Sequence, residues 1–222
     1  MVTPMKNDNE KLLAKIRKDR HLQQVGELLD SVYLNIDARR ISLDERQRLS
    51  IKDDVFVYGE IIYPTFALML KLAEPKPGEV FYDLGSGSGK AVLLTSMLYD
   101  LSKAVGVEYL APLYELSTKK LNLLTVHPDF ARLSKKRFNV QFYNQDLFEF
   151  NIEDADIIYM NATCFIGDNW TNAVSKFTTL KRGTRIILTT KSLPEDSYKR
   201  IFSELMPMSW GTCTLGVYEK IV

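Results

Sequence analysis

The sequence is poor in cysteine and histidine and has no long apolar run. Its 222 residues include two cysteines, Cys164 and Cys213, and two histidines, His21 and His127. These few residues exclude a disulfide framework, and their spacing offers no paired metal ligands. No stretch approaches the roughly 20 apolar residues of a membrane helix, and the polar amino terminus does not resemble a secretory signal. We therefore expect a cytoplasmic protein with no metal ion and no association with a membrane.

An excess of charge of one sign is also lacking. Lysines and arginines number 29 and aspartates and glutamates 28, which leaves a formal net charge of +1. This balance argues against a protein that binds nucleic acid through its overall charge. The densest basic patch near the predicted sheet, Arg132 with residues 135–137, is interpreted as a solvated loop. Nothing in the sequence indicates an oligomeric state.

The length and a hydrophobic content of 45% suit one packed core with an extension. Apolar residues at helical spacing in residues 10–34 predict one or two surface helices. A second short helix is predicted next, with Ser42 as its N-cap and Glu45 as the capping-box partner. A further helix carries Pro64 in its first turn and ends at the proline and glycine cluster of residues 75–78.

Beyond that cluster, short apolar runs alternate with helical segments, as in a parallel sheet with crossover helices. The predicted strands are residues 80–84, 104–108, 140–144, 156–160 and 185–189. The predicted helices lie near residues 89–100, 111–125, 169–180 and 195–205. Residues 208–222 predict a hairpin whose antiparallel pairing closes the sheet. The fold class is therefore α/β, with a mostly parallel Rossmann-like sheet in residues 57–222, preceded by an N-terminal helical extension in residues 1–56.

A glycine-rich loop follows the first predicted strand, where Asp83–Lys90 reads DLGSGSGK. A dinucleotide-binding fingerprint needs glycine where Lys90 stands. A P-loop that ends in this Gly-Lys pair needs glycine at position 84 and a hydroxyl residue at position 91, where the chain has Leu84 and Ala91. The remaining pattern, D-x-G-x-G-x-G, removes side chains where the backbone turns sharply and approaches a small ligand closely.

Polar residues end the predicted strands at one edge of the sheet. Glu108 ends the second strand, where a carboxylate can accept hydrogen bonds from ribose hydroxyls. Asp146 follows the third strand and suits either an exocyclic amine of adenine or a role as a turn residue. Asn161 follows the fourth strand. Because parallel strands end at the same edge, these residues predict a crevice for a ligand.

These motifs resemble those of class I methyltransferases that use S-adenosylmethionine, in particular the non-SET histone-lysine methyltransferases of the disruptor-of-telomeric-silencing family and their bacterial relatives. The similarity runs from about Tyr58 to the carboxyl terminus and keeps the order of the motifs. The matching segments are residues 57–60, 83–89, 106–108, 145–147, 161–165 and 180–187. The resemblance implies a seven-stranded sheet with an antiparallel terminal strand, and S-adenosylmethionine as the cofactor, with S-adenosylhomocysteine as the product.

The resemblance also implies roles for individual residues. The implied cofactor-binding residues are Glu60, Asp83, Gly85, Ser86, Gly87, Gly89, Glu108, Asp146 and Asn161. The implied catalytic residues, around a channel that admits a lysine side chain, are Tyr58, Asn161 and Phe165. Trp210 and Tyr218 resemble aromatic residues of that channel, whereas Ala162 stands where the family usually has a second asparagine.

The expected reaction is a direct in-line transfer of the methyl group to a lysine amine of a protein substrate. The cofactor carries its own electrophile, so the protein needs to align the acceptor and exclude water. Apolar aromatic walls would favour the neutral amine. Three alternatives stay open: a small-molecule methyltransferase, an RNA methyltransferase, and a protein that binds the cofactor without turnover.

Overall fold

The computed structural model describes residues 7–51 and 56–222, which form a seven-stranded sheet covered by helices on both faces. The strands are β1 Val80–Leu84, β2 Lys103–Glu108, β3 Val140–Asn144, β4 Ile157–Met160, β5 Arg185–Thr189, β6 Tyr198–Met208 and β7 Gly211–Lys220. Their order across the sheet is β3-β2-β1-β4-β5-β7-β6. Strands β1 to β5 are parallel, and β7 is antiparallel to both of its neighbours. The predicted fold class is confirmed.

Eight helices occupy the described ranges. They are α1 Asn7–Arg17, α2 Arg20–Val32, α3 Ala38–Arg48, α4 Tyr63–Leu72, α5 Lys90–Leu98, α6 Ala111–Thr125, α7 Phe130–Leu133 and α8 Asp168–Phe177. Within these ranges, no helix has both the length and the apolarity needed to cross a membrane.

Two core layers cover the faces of the sheet. One face packs against α1, α2, α4 and α5 through residues such as Leu29, Phe66 and Leu93, all essentially inaccessible to solvent. The other face packs against α8 through Phe177. Helix α3 lies apart from both layers and packs on α6 through Ala38. Helices α1, α2 and α4 therefore share the main core, whereas α3 does not, and the division at residue 56 stays a prediction.

The predicted helix at residues 195–205 is wrong, because these residues enter the long edge strand β6. Alternate side chains along the strand are buried, including Phe202, Glu204 and Met206. Pro207 is compatible with this position because an edge strand leaves one row of backbone N–H groups without a strand partner. The terminal hairpin consequently spans residues 198–220 and turns at 209–210, so it begins ten residues earlier than the predicted hairpin.

The predicted cap of the third helix is also wrong. The N-cap is Asp37, whose carboxylate accepts a hydrogen bond from the backbone N–H of Arg40. Ser42 lies inside the helix, where it is buried and donates to the carbonyl of Phe56. Glu45 forms an ion pair with Arg48 instead of a capping box. The observed N-cap therefore lies five residues before the predicted one.

Candidate active site

A cavity of about 300 Å³ opens at the carboxyl edge of the parallel strands. The ends of β1 and β2, the loops after β3 and β4, and residues 56–61 enclose it. The predicted cofactor residues that line this first cavity are Glu60, Asp83, Gly85, Ser86, Gly87, Glu108, Asp146 and Asn161. The topology thus brings together residues from four strand ends and from the segment that precedes α4.

The glycine loop needs its glycines for conformation and for space. Gly85, Gly87 and Gly89 have φ angles of 83°, 55° and 84°, in the left-handed region. A Cβ atom on Gly87 would lie 2.7 Å from the ring of Tyr58, and one on Gly89 would lie 2.6 Å from the ring of Phe142. Gly89 thus serves helix and strand packing, whereas Gly87 allows Tyr58 to lie directly against the loop.

Two buried acids stand at the floor of this cavity. Asp83 is 2% exposed, and its Oδ1 atom has no hydrogen-bond partner among the described residues. Burial, with the nearby charge of Glu108, raises the pKa of Asp83 well above its ordinary value. Burial also raises the pKa of Glu108, although backbone N–H groups that bond to its carboxylate oppose that shift. An unpaired buried carboxylate is costly, so Asp83 is suited to a cationic or hydrogen-bonding ligand.

Glu108 also shapes the glycine loop. Its Oε2 accepts the N–H of Gly87 at 2.8 Å, and its Oε1 accepts the N–H of Leu110 at 2.8 Å. The backbone of Tyr109 bonds to this carboxylate as well. A carboxylate has about four acceptor sites, so these three bonds leave acceptor capacity for a ligand hydroxyl. Asp146 has the second of its two predicted roles, that of a turn residue, because its Oδ1 accepts the N–H of Phe148 at 2.8 Å. It lines the cavity as well, so the two roles coexist.

Residues Tyr58–Glu60, the YGE loop, lie across the glycine loop. The hydroxyl of Tyr58 donates to Glu60 Oε1 at 2.5 Å and lies 2.9 Å from Ser88 Oγ. Lys90 Nζ lies 2.7 Å from Glu60 Oε2. Burial and the charge of Glu60 raise the pKa of Tyr58 above its ordinary value, so the phenol stays protonated at neutral pH. Ser88 and Lys90 are functional candidates that the sequence analysis did not assign.

The turn of the β6–β7 hairpin holds the YGE loop from the other side. Ser209 Oγ accepts the N–H of Glu60 at 3.0 Å and donates to its carbonyl at 2.8 Å. The ring of Trp210 packs so closely on Gly59 that a Cβ atom there would lie 2.5 Å from it. The hairpin and the YGE loop therefore form one joined structure.

A second cavity, of about 390 Å³, lies beside the first. Tyr58, Gly59, Glu60 and Asn161 line both cavities. Val57 lines both cavities as well. The remaining wall of the second cavity is made by the start of α3, the segment after β4 and the hairpin turn, with Ile36, Thr163, Cys164 and Trp210 among the lining residues. The YGE loop and Asn161 thus form the boundary between the two spaces.

A hydroxyl network orients Asn161. Its Oδ1 accepts from Thr189 Oγ1 at 2.7 Å and from the N–H of Thr163 at 3.4 Å. The two threonine hydroxyls are themselves 3.0 Å apart. The other atom of the amide, Nδ2, faces Gly59. A Cβ atom added to that glycine would lie 3.1 Å from Nδ2. The amide therefore directs a hydrogen-bond donor towards the boundary between the cavities.

The other predicted aromatic residues divide between site and core. Phe165 is 5% exposed, lines the first cavity and packs in the core layer around α8. Trp210 lines the second cavity. Tyr218 is 1% exposed and belongs to the core layer around α8, where its ring packs against Gly216. The resemblance of Tyr218 to a channel residue is therefore not matched by its position.

Helix α2 reaches the glycine loop through a residue that sequence reasoning missed. Tyr33, at the carboxyl cap of α2, donates its hydroxyl to the carbonyl of Ser88 at 2.5 Å. The ammonium groups of Lys90 and Lys120 lie 4.9 and 5.4 Å from the centre of its ring. Burial, followed by the charge of Glu60, raises the pKa of Tyr33. Helix α2 thereby supports the site directly through its carboxyl cap, and no sequence motif marked this residue.

The sheet order, the glycine loop after β1 and the acid at the end of β2 define a class I methyltransferase fold. Residues 51–208 match the family described as "Histone methylation protein DOT1". The match covers more than half of the chain, and the chain therefore belongs to the DOT1 family.

Named relatives in fungi agree with this assignment. A protein of Debaryomyces hansenii named "Histone-lysine N-methyltransferase, H3 lysine-79 specific" is 27% identical over 178 residues, which cover 76% of this chain and 15% of the relative. A protein of Eremothecium gossypii with the same name is 31% identical over 157 residues, which cover 68% of this chain and 27% of the relative. The chain thus spans less than a third of either relative.

Solved structures share the fold at low sequence identity. An RNA methyltransferase from Salinibacter ruber, in complex with S-adenosylhomocysteine, superposes with a TM-score of 0.52 at 21% identity, covering 73% of this chain and 94% of that one. The YcgJ protein from Bacillus subtilis superposes with a TM-score of 0.55 at 15% identity, and the match covers 72% of this chain and 100% of that one. At these identities the likeness establishes the fold.

S-adenosylmethionine is the cofactor that the family implies, and the first cavity fits it. The unpartnered Oδ1 of Asp83 and the unpartnered Oγ of Ser86 are both buried beside the cavity, and they offer an acceptor and a hydroxyl to a polar ligand. Glu108 keeps acceptor capacity for hydroxyl groups. The glycine loop presents backbone without side chains, which leaves room for a ligand to approach.

Proposed function

We propose that this protein transfers the methyl group of S-adenosylmethionine to the side-chain amine of a lysine in a protein substrate, by direct in-line displacement. The observation that carries the proposal is the shared boundary of the two cavities. Residues 57–60 and Asn161 line both, so a side chain that enters the second cavity approaches the contents of the first across these five residues.

The chemistry requires alignment and a dry site. The cofactor supplies an electrophilic methyl group when it is bound, so no covalent nucleophile is needed. The YGE loop, held at Ser88, Lys90 and Ser209, covers the cavity and excludes water. Holding the acceptor amine in line with the methyl group lowers the barrier by several kcal/mol, since the entropy of alignment is lost on binding.

The acceptor amine must lose a proton before it reacts. A lysine has an ordinary pKa of about 10.4, so it is protonated at neutral pH. The second cavity carries Ile36, Val57 and Trp210 in its wall, and such apolar surroundings disfavour the ammonium form. Tyr58 does not serve as the base, because its own pKa is raised. The wall therefore promotes deprotonation through desolvation, and the proton leaves to solvent.

We assign the catalytic roles to Asn161, Tyr58 and Phe165. Asn161 directs an amide N–H group towards the boundary of the cavities, where it positions the reacting groups. Tyr58 fixes the carboxylate of Glu60 and lies against Gly87. Phe165 contributes an apolar surface to the first cavity. Asn161 Oδ1 is held by the hydroxyl of Thr189 and the backbone N–H of Thr163, and neither contact involves the next residue, Ala162.

A protein substrate is favoured over RNA by the distribution of charge. The basic residues 135–137 precede β3, at the amino edge of the sheet, which is the edge opposite the first cavity. The named fungal relatives are histone-lysine methyltransferases. A lysine of a basic protein such as a histone is therefore the first acceptor to test.

The test offers the purified full chain and methyl-labelled S-adenosylmethionine to separate pools of acceptor. The pools are recombinant nucleosomes, free histones, a protein extract, total RNA and a small-molecule extract, each with the parent chain and with Glu108→Ala as the control. We expect label in protein, with mass spectrometry locating it on a lysine ε-amine. Label confined to RNA or to small solutes, or binding of the cofactor with no transfer to any pool, would overturn the proposal.

A further inference from the structure

The hydroxyl groups beside the second cavity form a chain whose direction follows from its contacts. The backbone N–H of Thr163 lies 3.4 Å from Asn161 Oδ1, which identifies that atom as the oxygen of the amide. Thr189 Oγ1 therefore donates its single proton to this oxygen at 2.7 Å. Because that proton is used, Thr163 must be the donor in its 3.0 Å contact with Thr189 Oγ1.

The same reasoning extends to Thr190, whose hydroxyl lies 3.1 Å from Thr163 Oγ1. Since Thr163 gives its own proton to Thr189, Thr190 is the donor in this second contact. A hydroxyl oxygen has two lone pairs, so one lone pair of Thr163 Oγ1 takes no bond from the residues that the structure describes. Thr163 is half-buried and lines the second cavity, so this lone pair can receive a donor from a ligand there.

The end of β5 holds Thr190 in an unfavourable conformation. Its φ angle is 65°, in the left-handed region that a β-branched residue rarely adopts. Its N–H bonds to the carbonyl of Thr214 at 2.6 Å, and its hydroxyl also contacts Cys213, whose thiol keeps its proton because burial raises its pKa. Backbone strain of this kind persists where the surrounding structure enforces it. The strained residue places its hydroxyl against Thr163 and so fixes the direction in which Thr163 donates.

A neutral hydrogen-bond acceptor suits a substrate amine that must lose a proton. The carboxylates in the lining of the second cavity, Asp37 and Glu60, already bond to Arg40 and to Lys90. A carboxylate binds an ammonium group roughly twice as strongly as a neutral acceptor does, and it would oppose loss of the proton. The hydroxyl of Thr163 can instead accept an N–H group from either protonation state.

We propose that Thr163 binds the substrate amine by accepting one of its N–H groups, and that it thereby directs the lone pair of the amine towards the first cavity. This inference rests on the proposed function only in taking an amine as the group that is methylated. The ammonium group releases one proton to solvent, and the neutral amine keeps two N–H groups, one of them bonded to Thr163. The lone pair then forms the bond to the methyl carbon, while the electron pair of the broken bond stays on the sulfur.

Calorimetric titration with two probes tests the proposal without knowledge of the natural substrate. Both probes are analogues of S-adenosylhomocysteine in which nitrogen replaces the sulfur and carries a short alkyl arm that can enter the second cavity. One arm ends in a primary ammonium group and the other in a trimethylammonium group, which has the same charge and no N–H. The parent chain should bind the primary ammonium probe at least tenfold more tightly. Thr163→Val should weaken this probe at least fivefold and leave the other probe and S-adenosylhomocysteine within about twofold of the parent.

Two further variants separate recognition of the amine from structure. Thr163→Ser restores the hydroxyl and should restore most of the preference, and Thr212→Val, at an exposed position in β7, should change no affinity. The proposal is overturned when the parent chain does not distinguish the two probes, a result that does not require any variant to fold. It is overturned equally when Thr163→Val weakens both probes and S-adenosylhomocysteine by the same factor, since Thr163 then acts only through Asn161.

The labelling experiment and the probe experiment fail separately. If methyl label enters only small solutes while the preference for the primary ammonium probe depends on Thr163, the protein substrate is wrong and the assignment of Thr163 is supported. If label enters a lysine but the parent chain shows no preference between the probes, the assignment of Thr163 alone is overturned.

Discussion

The side chain of Ser209 makes two hydrogen bonds to the backbone of Glu60, accepting its N–H and donating to its carbonyl. The two residues are 149 positions apart in sequence, and they join the hairpin turn to the YGE loop. A hydroxyl that satisfies both backbone groups of one residue mimics the pairing of a strand. The loop over the first cavity is therefore ordered by the carboxyl-terminal hairpin as well as by the glycine loop.

We expect Ser209→Ala to loosen the YGE loop. The change removes both hydrogen bonds, each worth about 1 kcal/mol, from residues that are accessible to water. S-adenosylhomocysteine affinity, measured by calorimetry, should fall roughly three- to tenfold. Ser192→Ala, at an exposed position before β6, serves as the control and should leave the affinity unchanged. Equal affinity for both variants would show that the hairpin does not order the loop.

Glu108→Ala should weaken the binding of S-adenosylhomocysteine by more than tenfold without unfolding the protein. The carboxylate accepts the N–H groups of Gly87 and Leu110, so its loss removes both a ribose acceptor and a support of the glycine loop. Circular dichroism and thermal unfolding of the variant serve as the check on folding. An unchanged affinity in a folded variant would refute the ribose role.

Asp83→Asn should stabilise the ligand-free protein at neutral pH. Because the pKa of Asp83 is raised in the folded state, the protonated carboxyl group favours the folded protein. This stabilisation is fully present below the ordinary carboxyl pKa and is lost as the pH rises through the folded-state pKa. The neutral amide avoids the burial of a charge. The midpoint of thermal unfolding should rise by about 2–6 °C at pH 7.5, and the difference from the parent should shrink towards pH 4.

Asp154→Asn provides a control of the opposite sign. Burial raises the pKa of Asp154, but hydrogen bonds from Tyr82 and Lys103 lower it by more, so the net shift is downward. The ionised form therefore stabilises the folded protein above the ordinary carboxyl range, and the amide should lower the unfolding midpoint at pH 7.5. If the unfolding midpoint at pH 7.5 rises in both variants, or in neither, the assignment of an unpaired charge to Asp83 is contradicted.

The fold was predictable because the central parallel strands are buried on both faces. Runs such as Val80–Leu84 and Arg185–Thr189 are mostly apolar, and their bounds agree with the prediction. Strand β6 was not predictable in the same way. It is an edge strand with charged residues such as Lys199 and Arg200 on its exposed side. Its buried side packs against α4, which lies far away in sequence.

The residues of the candidate site also fall into two groups: some belong to a recognisable sequence motif, and others act on residues distant in sequence. Gly87 and Glu108 stand in a pattern that can be recognised along the chain, and the structure brings them together in one cavity. Tyr33 and Ser209 carry no motif, because each acts on a backbone group of a residue distant in sequence. A hydrogen bond to a distant carbonyl leaves no spacing in the sequence from which it could be inferred.

The last prediction concerns the orientation of Asn161. Thr189→Val keeps the shape of the side chain but removes the hydroxyl that donates to Asn161 Oδ1, which frees the amide to rotate. Turnover on the acceptor identified by labelling should fall by roughly tenfold, because the reacting groups lose their alignment, while the affinity for S-adenosylhomocysteine should stay within about twofold.

Asn161→Ala should show the same separation with a larger loss of turnover, and Thr212→Val, at an exposed position in β7, should match the parent. A loss of cofactor affinity equal to the loss of turnover in Thr189→Val would mean that Asn161 holds the cofactor. An unaltered rate in Asn161→Ala would remove this residue from the reaction.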